Sequence, residues 1–188
     1  MTDQLSDMRV LFITSNTGVE RDELLTPLAW LRDSGATVTH AAAKLEDVQT
    51  FVHDVDKDVI VQPDKALDDI EVDDYDLLVI PGGTVNADKL RMSDRAVELA
   101  QQFAGAGKTI AAICHGPWLL VEANLLPGKT LTSYPSLRTD IVNAEGAWVD
   151  RPVVLSPEDG WILITSRNPG DLPDFTDAIN RTINPNVD

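Results

Sequence analysis

Short, unbroken apolar runs set between segments of helical period constrain this chain more than any other feature. Val10-Leu11-Phe12-Ile13-Thr14, Leu77-Leu78-Val79-Ile80 and Thr109-Ile110-Ala111-Ala112-Ile113 show no apolar–polar alternation. Runs of this kind are strands buried on both faces, as in a parallel sheet covered by helices. Between them the period changes. Leu24, Leu25, Leu28 and Leu31 recur at helical spacing over residues 21–34, with Pro27 inside the pattern and Gly35 as its stop. Residues 37–42 read as the next strand, so the chain opens β-α-β with a right-handed crossover expected. Ala96, Leu99, Ala100 and Phe103 share one face of a helix over residues 93–106, with Ser93 as its N-cap. The stretch 44–74 is weaker; residues 59–61 can pair with 48–52. Downstream come helices over 116–123, 136–144 and 172–183, and strands over 153–155 and 161–165. There is no repeat, linker or low-complexity stretch. The 188 residues fit one α/β domain, 1–188, a three-layer sandwich around a mainly parallel sheet.

Charge narrows the partners. Asp and Glu number 31 against 15 Lys and Arg, a formal net charge of −16. Such a surface repels nucleic acid and anionic lipid. No run of about 18 apolar residues marks a membrane span. The polar, acidic start Met1-Thr2-Asp3-Gln4 lacks the basic flank and apolar stretch of a signal peptide, which points to the cytoplasm. The acidic excess is distributed along the chain, and molar salt would screen its self-repulsion. Adaptation to a salt-rich cytoplasm, as in a halophile, is the corresponding expectation.

Cys114 is the single cysteine, so no intramolecular disulfide can form. It ends the apolar run 109–113 and is followed by His115-Gly116-Pro117-Trp118. Strand, cysteine, then helix is the layout of a nucleophile elbow, although the Gly-x-Ser-x-Gly pattern of serine hydrolases is absent. The thiol would sit at the carboxyl edge of the sheet, where open α/β sheets bind ligands. It would also face a helix N-terminus, which favours thiolate and lowers the pKa. His115 is either a base for Cys114 or a histidine that orients the turn; adjacency alone does not make them hydrogen-bond. Glu20, just past the first strand, either reaches the thiol or is an acid favoured by the N-terminus of a helix. Gly82 and Gly83, after the strand 77–80, together with the amide of His115, either receive an oxyanion or form a plain turn.

Other chemistries are excluded. The remaining histidines, His40 and His53, form no metal spacing with Cys114, so no metal and no cofactor is expected. Gly105 and Gly107 precede a strand rather than a helix and make no phosphate loop. Trp118, Trp148 and Trp161 read as core or interface, not as a stacking platform.

Ile113-Cys114-His115-Gly116-Pro117, with Pro81-Gly82-Gly83 upstream, Gly18-x-Glu20 after the first strand and Thr132-Ser133-Tyr134-Pro135 downstream, resembles the DJ-1/ThiJ/PfpI superfamily. The likeness is greatest to its PfpI-like intracellular protease branch, peptidase family C56, and runs from about residue 9 to 183. Thr165-Ser166-Arg167 and the acidic last helix also fit. The resemblance implies a flavodoxin-like sandwich, Cys114 as nucleophile and Glu20 as the acid contacting it. It implies that His115 pairs with Cys114 and with an acid from a neighbouring subunit, for which Asp88 is the match. Asp88 replaces the Glu of the protease members and stands one residue further from the turn. It also implies homodimers or hexamers. The implied activities are those of a hydrolase on a peptide or small carbonyl compound, protease-like or glyoxalase/deglycase-like, in stress response. The alternative is a non-catalytic redox sensor or chaperone-like protein using an oxidisable Cys114. Glutaminase activity is excluded because no histidine follows His115.

Overall fold

The computed structural model describes residues 5–184; the polar start at residues 1–4 lies outside them. Seven strands form the central sheet: β1 Arg9–Thr14, β3 Thr37–Ala42, β6 Lys65–Ala66, β7 Leu77–Ile80, β8 Thr109–Ile113, β11 Val153–Ser156 and β12 Leu163–Ser166. Their order is β11-β12-β8-β7-β1-β3-β6. Every neighbouring pair is parallel except β11 with β12.

The unbroken apolar runs are explained by their two faces. Leu11, Ile13, Leu78, Ile80, Ile110 and Ala112 pack into one core with α3 (Asp94–Gly105), α4 (Pro117–Glu122) and α5 (Arg138–Asn143). Val10, Phe12, Leu77, Val79, Ala111 and Ile113 pack into the other with α1 (Arg21–Asp33) and α6 (Leu172–Ile183). Successive strand residues point to opposite faces, so both parities must be apolar. This is the flavodoxin-like three-layer sandwich. Pro27 lies inside α1 on its buried face, and Ser93 caps α3 by accepting from the Ala96 N–H.

Three features lie outside the expected pattern. Residues after β1 form another strand, β2 (Thr17–Glu20), in a small sheet ordered β2-β4-β5 with β4 (Val48–Val52) and β5 (Asp56–Val61). A helix, α2 (Thr84–Arg91), follows the Pro-Gly-Gly turn. Two short strands, β9 (Thr130–Leu131) and β10 (Ala147–Trp148), pair in parallel. No helix among the described residues is long and apolar enough to cross a membrane.

Candidate active site

The chain runs from β1 to β3 and β6 on one side, then returns across β1 to β7 and β8 on the other. That reversal leaves a crevice at the carboxyl ends of β1 and β7, where open α/β sheets bind ligands. The β1 end leads through β2 into α1. The β7 end leads into Pro81-Gly82-Gly83, and the β8 end into Cys114.

Cys114 has φ 62°, the left-handed region that non-glycine residues avoid. The surroundings hold it there from both sides: its N–H donates to the Ser166 carbonyl at 2.9 Å and its carbonyl accepts from Tyr134 N–H at 2.8 Å. This is the geometry of a nucleophile elbow. The side chain is buried, and Sγ lies 3.1 Å from His115 Nδ1, so the two neighbours do pair. On its other edge His115 Nε2 meets Thr84 Oγ1 at 3.2 Å and Ser136 Oγ at 3.4 Å. The ring stacks on Tyr134 with centroids 4.6 Å apart. Burial lowers the His115 pKa against an opposing pull from Asp54, so the ring is neutral at pH 7.

The acid at the thiol is Glu23, not Glu20. Glu23 is the third residue of α1 and fully buried. Its Oε2 accepts the Gly82 N–H at 2.8 Å and Oε1 has no hydrogen-bond partner, while the neighbouring Cys114 thiol pulls the carboxyl pKa down against burial. Burial pushes its pKa up to about 8, helped by the nearby charges of Glu20 and Asp54. Glu23 is therefore neutral at pH 7 and carries a proton that it can donate to sulfur. Glu20 ends one step too early to do this. It is the N-cap position of α1, and its carboxylate turns to the β4–β5 hairpin, accepting the N–H groups of His53 and Asp54 at 3.2 Å each.

Burial also pushes the Cys114 thiol up, and an ionised Glu23 would push it further. The Gly83 N–H beside the thiol pulls the other way. The help expected from a helix N-terminus is limited because α4 has six residues. The Gly83 N–H is the one group near the sulfur that favours thiolate in its place. Gly82 is not free as an oxyanion donor, since its amide is committed to Glu23. Its lack of a side chain is still required: a Cβ there would lie 2.6 Å from Cys114 Cβ. Asp88 is exposed on α2 and is not among the groups that meet His115 within the chain.

Asn86 was not singled out from the sequence, yet it is fully buried and ties the site together. Its Oδ1 accepts the Ser15 N–H at 2.8 Å, and its Nδ2 donates to the Pro81 and Gly82 carbonyls at 3.1 and 3.0 Å. Above the thiol lies a cavity of about 350 Å³, bordered by Glu20, Glu23, Asp54, Cys114, Tyr134 and Pro169 among others. No group of three or more potential metal-ligating side chains occurs among the described residues.

A model of the DJ-1/PfpI family matches residues 8–182. The chain belongs to the DJ-1/PfpI family. It is similar to a deglycase, PfpI, of Pyrococcus furiosus, with 37% identity over 165 residues, covering 88% of this chain and 93% of that one. It is similar to general stress protein 18 of Bacillus subtilis, with 43% identity over 115 residues, 61% of this chain and 64% of the relative. Among solved structures, DJ-1beta of Drosophila melanogaster superposes with a TM-score of 0.82 at 33% identity, over 94% of this chain and 90% of that one. DJ-1/PfpI relatives named as deglycases support a hydrolase-like enzyme as the general class.

Proposed function

We propose that this DJ-1/PfpI protein is a cysteine-dependent enzyme acting on small carbonyl compounds, 2-oxoaldehydes or their adducts, with Cys114 as nucleophile. The observation that carries this reading is the pairing of a buried thiol with a neutral His115 and a neutral Glu23 at the floor of a cavity of about 350 Å³. That volume lies at the small end of ligand sites, roughly 300–1,000 Å³. It suits a small carbonyl compound better than a folded polypeptide.

In the proposed first step the thiol proton passes to His115 Nδ1 as Sγ forms a bond to the carbonyl carbon. The carbonyl π bond opens onto oxygen. The amides of Gly83 and His115 receive the charge, and His115 returns the proton to that oxygen. The product is a hemithioacetal on Cys114. A proton shift between the two carbons and hydrolysis of the resulting thioester by water would release a 2-hydroxy acid. Incubation with methylglyoxal is expected to give 2-hydroxy acid with wild-type protein and none with Cys114→Ser. Full turnover by Cys114→Ser, or no product and no adduct on Cys114 in the wild type, would overturn the reading.

A second reading is favoured by one feature of the same site. The Glu23 carboxyl and the Gly83 amide would also hydrogen-bond an oxidised sulfur, so a sulfinic Cys114 fits the pocket. Mild peroxide followed by mass spectrometry separates the two: a redox sensor shows selective oxidation of Cys114 together with no carbonyl turnover.

A further inference from the structure

His115 needs a partner on Nε2 if Nδ1 is to accept the thiol proton. The structure supplies one from within the chain. Thr84 Oγ1 lies 3.2 Å from His115 Nε2 and 3.1 Å from Asp54 Oδ2, and Asp54 Oδ1 accepts the Thr84 backbone N–H at 2.7 Å. A hydroxyl has one proton to give. Thr84 Oγ1 donates to Asp54 Oδ2, so towards His115 it must accept. With Ser136 Oγ, 3.4 Å from Nε2, accepting as the second and longer partner, the proton of neutral His115 sits on Nε2 and the Nδ1 lone pair faces Cys114 Sγ, 3.1 Å away.

We propose that Asp54 and Thr84 form an in-chain positioning pair that sets the His115 tautomer and stabilises the imidazolium formed when His115 takes the Cys114 proton. The assignment deepens the reading of Cys114 as nucleophile and rests on it. It gives His115 an acid in the same subunit, where the resemblance offered Asp88 from another.

The placement of Asp54 is built in. It sits with His53 at the tip of the β4–β5 hairpin, where both residues have positive φ, 54° and 65°. Paired positive φ values are the sign pattern of a type I′ turn, which Asp tolerates. The Glu20 carboxylate, buried beneath, clasps the two turn amides. Glu20 thus acts on the site at one remove, by holding the turn that carries Asp54. Thr84 is fixed as the first residue of α2, directly after Gly83. The charge of Asp54 reaches His115, raising its proton affinity against burial.

The test uses Cys114 alkylation by iodoacetamide, which needs no substrate, and so stands apart from the methylglyoxal assay. Thr84→Val removes the hydroxyl but keeps the shape and the backbone bond to Asp54; Thr84→Ser keeps the hydroxyl. Nitrogen-15 spectra of the His115 ring report its tautomer directly. The expected result is an Nε2–H ring in wild type and Thr84→Ser, and an alkylation rate at pH 7 lowered about tenfold in Thr84→Val and in Asp54→Asn, with the double variant no slower than either. A wild-type ring protonated on Nδ1, or a Thr84→Val rate equal to wild type, would overturn the proposal. So would a loss of rate in Asp88→Asn with none in Asp54→Asn. Normal relay results with no methylglyoxal turnover would reject the substrate class alone.

Discussion

Cys114 and Glu23 form a residue-scale unit in which one neutral acid supports one nucleophile. A buried carboxyl stays neutral because ionisation would cost its hydration, and here a single N–H, from Gly82, is the backbone compensation. The consequence for stability follows from the sign of the shift. The folded-state pKa of about 8 lies above the ordinary 4.5, so the folded protein holds this proton more tightly than the unfolded chain. The contribution is fully present below pH 4.5 and is lost as pH rises through 8. Glu23→Gln removes that titration while keeping an acceptor for Gly82. Urea unfolding is therefore expected to show the variant gaining stability relative to wild type from pH 5 to pH 9, and a constant difference would contradict a neutral Glu23. Cys114 itself was legible in the sequence, since an apolar strand ending in Cys-His-Gly-Pro has few other readings. Glu23 was less so. Glu20 follows the strand directly, whereas Glu23 hides within a helix. A signal was present: Glu23, Pro27 and Leu31 are spaced by four, so Glu23 lies on the buried stripe of α1 with two apolar residues.

At the scale of elements, strands with both faces covered announce themselves, and β1, β7 and β8 stand close to where their apolar runs place them. Elements of low apolar content do not. β2 is Thr-Gly-Val-Glu, and α2 carries Asn86, Asp88 and Lys89, so neither has a clear period. Yet both bear on the site: β2 leads into Glu20, and α2 brings Thr84 and Asn86. Contacts such as Asn86 to Ser15 and Asp54 to Thr84 join residues 71 and 30 positions apart that no spacing rule connects, because they depend on how the chain packs in three dimensions. Pro27 shows the converse. Its missing N–H is tolerated because α1 packs Leu24, Leu28 and Leu31 against the core around it.

For the whole molecule, the 31 acidic residues exceed the 15 basic ones by 16, so at least that many carboxyls have no basic side chain to pair with. The ion pairs among the described residues are mostly partly exposed, Arg9–Asp76 and Arg91–Glu122 among them, and pairs of that kind add little. Unbalanced negative charge therefore opposes the compact state, and added salt relieves it over a Debye length of roughly 3 Å at 1 M. Thermal melting is expected to shift upward from low to molar KCl; a flat or falling melting temperature would contradict a fold adapted to salt.

The alkylation rate of Cys114 by iodoacetamide, followed from pH 6 to pH 9 in wild type and in Glu23→Gln, tests the central claim most directly. A neutral Glu23 predicts that the two rates agree within about threefold at pH 6–7, because Gln also presents a neutral donor, and that wild type falls behind above pH 8 as Glu23 ionises beside the sulfur. A Glu23→Gln rate more than about tenfold above wild type at pH 6 would show that Glu23 is already charged there, contradicting the account of how this thiol is held.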